Sequence, residues 1–175
     1  MIDMAGVMDA QHYRAIVTGR RNKAAGEEWE RILEASCQHY RLTGEAEIEK
    51  TPEPMKQLGP KDRQGKFTAC YTKKAQPDYK GTLKGGRSVV FEAKHTASDR
   101  LQQSAVTGDQ EKRLDRHMTL GAECFVMVSF GFREFFKVPW AIFRAMKEHY
   151  GRKYITPEDV QEYKVTYIGG VLRFL

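Results

Sequence analysis

A β-hairpin pattern in the middle of the chain constrains the fold more than any other feature of the sequence. Residues 79–82 and 88–91 are typical of short strands, and the glycine-rich residues 84–86 between them predict the turn. Because side chains alternate along a strand, Glu92 and Lys94 should project from the same face. The second strand therefore carries a carboxylate and an ammonium group side by side at its end.

The same hairpin should bring Asp78 next to Glu92, since Asp78 stands just before the first strand and Glu92 at the end of the second. Two carboxylates and the Lys94 ammonium group then converge at one edge of the sheet. Such oxygen ligands suit Mg²⁺, which usually takes one or two protein carboxylates and fills its remaining sites with water and phosphate oxygens. A neighbouring lysine can hold water or offset charge that develops on a phosphate. An ordinary solvated hairpin also carries such charges, so the pattern needs support from elsewhere in the chain.

Length and composition indicate a single globular domain. The chain has 175 residues, of which 30% are charged and 41% hydrophobic. Its 29 basic residues exceed its 23 acidic ones, and this surplus favours a polyanionic partner. Three scattered cysteines without a CxxC pair argue against a zinc site or a disulfide framework. Because the sequence has no apolar run of membrane-spanning length and no signal-peptide pattern, we expect a cytoplasmic protein with reduced thiols and no membrane partner.

The first 25 residues are predicted to form a basic N-terminal arm, and residues 26–175 a single domain. Within the arm, residues 18–23 contain Arg20 and Arg21 and are expected to break any helix that precedes them. The arm is either a frayed, solvated terminus or a segment that contacts DNA phosphates.

A helical pattern follows from residue 26 to about residue 40. Trp29 and Leu33 fall on its apolar stripe, which should face the core. Glu30 flanks that stripe, where a carboxylate is usually a surface charge. It could also point over the edge of the sheet towards a metal ion.

A proline-containing connector, residues 51–54, leads into a strongly basic segment at about residues 55–75. Glycine and proline breaks within this segment predict an excursion that projects from the domain rather than a layer of the core. It is either a long solvated loop or a DNA-binding element, because lysines mixed with exposed aromatic side chains suit phosphate contact and base stacking. The candidate DNA-binding residues of this segment are Lys61, Arg63, Lys66, Phe67, Tyr71, Lys73 and Lys74.

The remaining pattern predicts further strands and helices, which together indicate an α/β fold. The apolar run at residues 124–130 should be a buried central strand, with residues 135–138 as its hairpin partner. Further elements are expected as strands at residues 46–50 and 171–175, and as helices at residues 109–120, at 140–150 and from about 156. The five histidines are scattered without the spacing of metal ligands.

Several segments in this order resemble the RecU-type Holliday junction resolvases of bacteria and their phages, which belong to the PD-(D/E)XK nuclease superfamily. The matching residues are Gly26-x-x-x-Glu30, Lys50-Thr51-Pro52-Glu53-Pro54, Asp78-Tyr79-x-Gly81, Phe91-Glu92-Ala93-Lys94-x-Thr96 and Gln110. The resemblance implies that residues 26–175 form a nuclease domain with a restriction-endonuclease-like core, in which a mixed central sheet is flanked by helices. It also implies a homodimer that cuts four-way DNA junctions symmetrically. It also implies Mg²⁺ as the cofactor, with Mn²⁺ as a substitute, and a basic stalk formed by the segment at about residues 55–75.

The resemblance further assigns roles to individual residues. Asp78, Glu92 and the backbone carbonyl of Ala93 would hold the metal, and Lys94 would be the catalytic lysine. Two further site residues are implied on the flanking helices, Glu30 and Gln110. Two features depart from the family. The connector reads Lys-Thr-Pro-Glu-Pro where Lys-Pro-Thr-Pro is more usual, and the stalk is shorter.

Two alternatives remain at the level of sequence. One is another nuclease of the same superfamily, such as a phage exonuclease or a restriction-like enzyme. The other is a DNA-binding module that kept the fold but does not cut DNA. The presence of Asp78, Glu92 and Lys94 together argues against the second alternative, because a degenerate site usually loses at least one of the three.

Overall fold

The computed structural model describes the backbone of residues 4–52, 55–71 and 76–175. Its α-helices are α1 (Met4–Thr43), α2 (Gly108–Thr119), α3 (Trp140–Arg144) and α4 (Met146–Tyr150). Two 3₁₀ helices span Gln103–Ala105 and Glu158–Tyr163. The strands are β1 (Ala46–Lys50), β2 (Met55–Gln57), β3 (Ala69–Tyr71), β4 (Tyr79–Leu83), β5 (Ser88–Thr96), β6 (Leu101–Gln102), β7 (Glu123–Phe130), β8 (Glu134–Pro139), β9 (Tyr154–Ile155), β10 (Lys164–Ile168) and β11 (Val171–Arg173).

Seven of these strands form one mixed sheet in the order β1-β4-β5-β7-β8-β10-β11. The β5–β7 pair is parallel and the other pairs are antiparallel. The central strand β7 is buried along nearly its whole length, which explains its continuous apolar sequence. The other two pairs, β2–β3 and β6–β9, form separate two-stranded sheets.

Side-chain alternation in the central strands builds a core on each face of the sheet. Val89 and Phe91 of β5 pack into a cluster with α1, where Trp29 stacks on Phe135 with ring centroids 5.5 Å apart. Val90 faces the opposite cluster, which includes Leu114 of α2 and side chains of α3 and α4. The predicted fold class, a mixed central sheet flanked by helices, is confirmed.

The predicted hairpin is also confirmed. Strands β4 and β5 pair in antiparallel fashion from Tyr79–Phe91 to Thr82–Ser88. The buried strand at residues 124–130 and its hairpin partner form as β7 and β8. The terminal strand, the strand at residues 46–50 and the helix at residues 109–120 all form within a few residues of their predicted bounds.

The prediction of a helix break at residues 18–23 is wrong, because α1 runs without interruption from Met4 to Thr43. The predicted boundary at residue 25 therefore falls inside this helix. Gly19 and Gly26 each weaken a helix interior by about 1 kcal/mol, but neither stops it in the absence of proline. Among the described residues no helix, α1 included, is long and apolar enough to cross a membrane.

The C-terminal third is more broken than predicted. The helix expected at residues 140–150 consists of the short helices α3 and α4, because Ala145 between them leaves helical geometry with φ −101° and ψ 29°. The helix expected from about residue 156 is a 3₁₀ helix, Glu158–Tyr163. Strands β6 and β9 are two residues long and hydrogen-bond only to each other, so local sequence gives little signal for them.

The glycine of the Asp-Tyr-x-Gly motif has a packing role. Gly81 lies opposite Ile48 in the β1–β4 pair, and a Cβ atom added there would collide with the Glu47 carbonyl oxygen and lie 2.7 Å from Ile48 Cα. We expect Gly81→Ala to lower the free energy of unfolding by at least about 1–3 kcal/mol, the usual cost of overpacking. Urea unfolding measures this loss.

Gly19→Ala is the matched control for this change. An added Cβ at Gly19 meets nothing within 4 Å, and the residue lies exposed in α1. This substitution should stabilise the protein by up to about 1 kcal/mol through helix propensity. Equal urea midpoints for Gly81→Ala and the parent protein would show that β1 can move away from β4 at little cost.

Candidate active site

The site lies where β5 extends beyond the start of β4. The last residue pair of the hairpin is Tyr79–Phe91, so the continuation of β5 lies beside Asp78 instead of a paired strand residue. Two hydrogen bonds hold Asp78 in place. Thr51 N–H donates to its backbone carbonyl at 2.8 Å, and Ala93 N–H donates to its Oδ2 at 3.0 Å. Because the N–H and C=O of a strand residue point to the same edge, the Ala93 carbonyl also faces this side of the strand.

Glu92 is fully buried beneath this edge. Its Oε2 accepts a hydrogen bond from Gln110 Nε2 at 2.5 Å and lies 3.3 Å from Lys94 Nζ. Its Oε1 is buried and has no hydrogen-bond partner among the described residues. A buried carboxylate oxygen without a partner costs free energy, so this atom is suited to a ligand that the protein itself does not provide.

Gln110 is positioned by the start of α2. Thr107 caps this helix, with its hydroxyl accepting from Gln110 N–H while its own N–H donates to Gln110 Oε1 at 3.0 Å. This reciprocal pair is a capping box. Because the amide oxygen is engaged with the backbone, the amide nitrogen points away from it and donates to Glu92. The helix cap thus fixes the orientation of a site residue.

Lys94 places its ammonium group between the two carboxylates. Its Nζ lies 3.3 Å from Glu92 Oε2 and 3.8 Å from Asp78 Oδ2, and its side chain is 18% exposed. Strand alternation puts Glu92 and Lys94 on one face, as the hairpin pattern predicts. The structure therefore brings together Asp78, Glu92, Lys94 and Gln110.

Burial dominates the electrostatics of Glu92. Desolvation, followed by the negative charge of Asp78, raises the pKa of Glu92 to about 8, although Lys94 acts in the opposite direction. A carboxylate so disfavoured gains when a cation comes close. Two carboxylates and one backbone carbonyl match the small protein ligand set of Mg²⁺, and the unpaired Glu92 Oε1 fits such an ion. The described residues contain no cluster of three or more His, Cys, Asp or Glu side chains suited to a metal.

Glu30 lies in the same cleft as Asp78, but its carboxylate is paired. Its Oε2 accepts a hydrogen bond from Lys50 Nζ at 2.7 Å, and this bond raises the pKa of Lys50. Sequence reasoning gave no role to Lys50. Its place at the end of β1, just before the connector, brings it to Glu30. The predicted metal-side role of Glu30 remains a prediction, since its nearest described partner is a lysine.

An open cleft of ≈ 780 Å³ runs along this edge of the sheet. Asp78 and Ala93 line it from the sheet, and α1 forms a wall that includes Arg21 and Glu30. Arg21 reaches the cleft because α1 is continuous. Arg20 is exposed on the same helix but does not line the cleft.

The predicted stalk contains an antiparallel two-stranded ribbon, β2–β3, that does not hydrogen-bond to the seven-stranded sheet. Its tip is closed by Asp62, whose side chain accepts from the N–H groups of Gln64 and Lys66, both at 2.8 Å. Residues 60–68 are all exposed, and Lys61 lies over the ring of Phe67 with its Nζ 5.9 Å from the centroid. The two-stranded form was not predicted.

The structure describes the other predicted stalk residues to different extents. Arg63 and Lys66 are exposed at the tip, where they can reach a ligand. Tyr71 lies on β3, but its side chain is outside the described part of the chain. Lys73 and Lys74 lie outside the described residues altogether.

His95 is a cleft residue that sequence reasoning missed. Its Nδ1 lies 3.0 Å from Ser129 Oγ, its ring stacks on Phe132, and burial lowers the pKa of the imidazole. Spacing between histidines gave no signal for it. Its place two residues after Ala93, on the same face of β5, was the signal available in the sequence.

The comparison with protein-family models agrees with the resemblance noted in the sequence. The chain matches the family model described as Recombination protein U (RecU) over residues 24–174. No significant match is found among curated proteins. A similar solved structure is that of Archaeoglobus fulgidus Hjc, a Holliday junction resolvase from an archaeal hyperthermophile. It has 14% sequence identity and a TM-score of 0.46, over 79% of this chain and 88% of that chain.

A structural likeness of that degree has no bearing on the assignment. The family match is different in kind, because it extends over most of the chain and includes every motif that carries the resemblance. The predicted relationship is confirmed, and the chain belongs to the RecU family (recombination protein U) of Holliday junction resolvases.

Proposed function

We propose that this protein is a Mg²⁺-dependent, structure-selective endonuclease that resolves four-way DNA junctions by paired symmetric nicks. The observation that carries the proposal is the group formed by Asp78, Glu92 and Lys94, in which a buried Glu92 oxygen lacks a partner within the described chain. The family match supports junction DNA as the substrate. The metal dependence and the pairing of nicks rest on the site chemistry and on symmetry.

Asp78, Glu92 and the Ala93 carbonyl would hold the ion, with Mn²⁺ as a substitute. A bound divalent cation supplies positive charge at the phosphate and lowers the pKa of water. Lys94 is suited to stabilise the negative charge that develops on the phosphate, because its ammonium group already lies between the two carboxylates. Gln110 keeps Glu92 in one orientation. Water would attack the phosphorus and the bond from phosphorus to O3′ would break, which leaves 5′-phosphate and 3′-hydroxyl ends.

Paired nicks require two active sites that face strands of like polarity across the junction. A homodimer with two-fold symmetry supplies this geometry, because each protomer presents the same surface to one half of the junction. We expect sedimentation analysis at micromolar concentration to give a dimer. A monomer that resolves a junction in a single binding event would contradict this part of the proposal.

The direct test is cleavage of a synthetic mobile four-way junction, labelled on each strand in turn. We expect nicks at symmetric positions on two opposing strands with Mg²⁺ or Mn²⁺, and no cleavage with EDTA. Linear duplex of the same sequence is the control substrate and should be cut far less. Degradation from duplex ends would indicate an exonuclease. Tight junction binding without cleavage in either metal would indicate a binding module.

Junction selectivity should depend on the stalk. Duplex and junction carry the same phosphate density per strand, so a basic surface alone binds both. We expect replacement of residues 61–66 by a short Gly-Ser turn to lower the junction-to-duplex affinity ratio at least about tenfold. The shortened tip lacks the basic residues and can no longer carry Phe67 to the branch point, where one stacked base is worth about 1–3 kcal/mol. The Leu58–Thr68 hydrogen bond below the tip should keep the ribbon paired. Binding to labelled junction and duplex in Ca²⁺ measures the ratio.

Two further variants show whether junction selectivity depends on the charges of the stalk tip or on its shape. The triple change Lys61→Gln, Arg63→Gln and Lys66→Gln removes the tip charges but leaves the Asp62 turn intact. The matched control removes three exposed charges elsewhere on the surface, Lys112→Gln, Arg116→Gln and Lys147→Gln. If the protein with residues 61–66 replaced prefers and resolves junctions as the parent protein does, selectivity comes from the spacing of the two active sites in the dimer instead.

A further inference from the structure

His95 lines the cleft but has no role in the proposed metal and lysine chemistry. It follows Lys94 on β5, and strand alternation puts it on the face of Ala93 rather than that of Glu92 and Lys94. His95, Ala93 and Asp78 all line the same cleft. A polar ring therefore lines the same cleft as the Asp78 carboxylate.

The ring is held in one orientation by a buried serine. His95 and Ser129 are direct partners in the parallel β5–β7 pair, and His95 Nδ1 lies 3.0 Å from Ser129 Oγ. Ser129 is fully buried, and its hydroxyl makes no other hydrogen bond within the described part of the chain. A buried hydroxyl is satisfied best when its hydrogen meets an acceptor, which favours the tautomer in which Nδ1 accepts from Ser129. The neutral imidazole then carries its own proton on Nε2, the nitrogen on the side away from Ser129.

A second contact holds the face of the His95 ring. Phe132 stacks on His95 with centroids 4.1 Å apart and an interplanar angle of 23°. Among the described residues Phe132 is the non-glycine residue with a positive φ, at 58°. An aromatic residue in the left-handed region is strained, and such strain concentrates at functional sites. The β7–β8 turn thus adopts a costly conformation that places a ring against the histidine.

We propose that His95 donates a hydrogen bond from Nε2 to a non-bridging phosphate oxygen of the DNA strand that lies in the cleft. This inference rests on the proposed nuclease function and names a further contact of the same site. The phosphate is the natural partner because it offers anionic acceptors, and hydrogen bonds to charged groups are the stronger ones.

The test is a protein–DNA cycle with uncharged phosphates. Single methylphosphonate linkages, which lack one anionic oxygen, are placed in turn around the branch point of a four-way junction, and affinity is measured in Ca²⁺. Wild-type protein should lose roughly tenfold at one linkage, the loss expected for a hydrogen bond to a charged group. His95→Ala should lose the same factor on unmodified junction and lose nothing further at that linkage. His95→Gln, whose amide can donate, should recover part of the loss.

His149→Ala is the matched control, because His149 is exposed on α4 and does not line the cleft. It should bind like the wild type at every linkage. Ser129→Ala should weaken binding to the unmodified junction several-fold and lose less than the wild type at that linkage, because it frees the ring to change its protonated nitrogen. Thermal unfolding of each variant shows whether a loss comes from misfolding.

The inference is overturned if the affinity of His95→Ala falls at each methylphosphonate linkage by the same factor as that of the wild type. It is also overturned if His95→Ala binds every junction, modified or not, more weakly by one constant factor. If the affinity loss of His95→Ala depends on the junction sequence but not on the position of the methylphosphonate, His95 contacts a base instead. The binding map does not require cleavage. A protein that never cuts junctions in Mg²⁺ would therefore refute the proposed function while the map still decides the role of His95.

Discussion

Asp78→Asn, Glu92→Gln and Lys94→Ala should each lower the rate of junction cleavage by about 10²–10³-fold, the loss typical of removing one charge-stabilising group. The three side chains form one cluster, with Lys94 Nζ 3.3 Å from Glu92 and 3.8 Å from Asp78. Junction affinity should stay near that of the parent protein, because we expect surface contacts to phosphates to carry the binding. Single-turnover cleavage and binding in Ca²⁺ measure the two quantities separately.

Glu30→Gln is the informative comparison for these variants. Its carboxylate binds Lys50 at 2.7 Å rather than the other site residues, so its loss should be milder than that of Asp78 or Glu92. Full cleavage by any of the three cluster variants would show that the site assignment is wrong. A loss at Glu30 as large as that at Glu92 would instead place Glu30 within the metal-binding group.

In EDTA, the free energy of unfolding should fall as the pH rises from 5 to 8, by on the order of 4 kcal/mol from Glu92 alone. Burial raises the pKa of Glu92 from 4.5 to about 8. Between these values the folded protein keeps the proton on Glu92 while the unfolded chain has released it. The folded state therefore binds more protons than the unfolded state, and stability decreases with rising pH.

Urea unfolding at several pH values tests this dependence, with Glu92→Gln as the control. The glutamine side chain has a similar shape and does not ionise, so the slope assigned to Glu92 should disappear in this variant. Mg²⁺ should stabilise the parent protein more at pH 8 than at pH 5, because it favours the ionised carboxylate. Identical slopes for the parent and Glu92→Gln would show that Glu92 is ionised in the folded protein well below pH 8.

Local pattern was sufficient for the centre of the fold and for the core of the candidate site. The hairpin that joins β4 and β5 follows from two β-branched segments around a glycine turn, and the period of a strand alone puts Glu92 and Lys94 on one face. The buried strand β7 is equally legible, because a strand covered on both sides needs an apolar residue at every position.

Local pattern failed where an energetic balance was close. The glycines and polar residues of α1 suggested a break near residue 20, but the penalties for Gly19 and Gly26 are small against the gain from the surrounding helix formers. The strands β2 and β3 are three residues each, so their pairing depends on a partner more than ten residues away rather than on propensity.

The sequence by itself determined the α/β class, the two central hairpins and the convergence of Asp78, Glu92 and Lys94, since each depends on strand periodicity and on a short turn. Only the tertiary structure decided which atoms meet around them. The capping box of α2 turns the Gln110 amide towards Glu92, and the parallel β5–β7 register sets Ser129 against His95. These contacts join elements that are far apart along the chain, and side-chain direction across such distances is set by packing and hydrogen bonding rather than by local propensity.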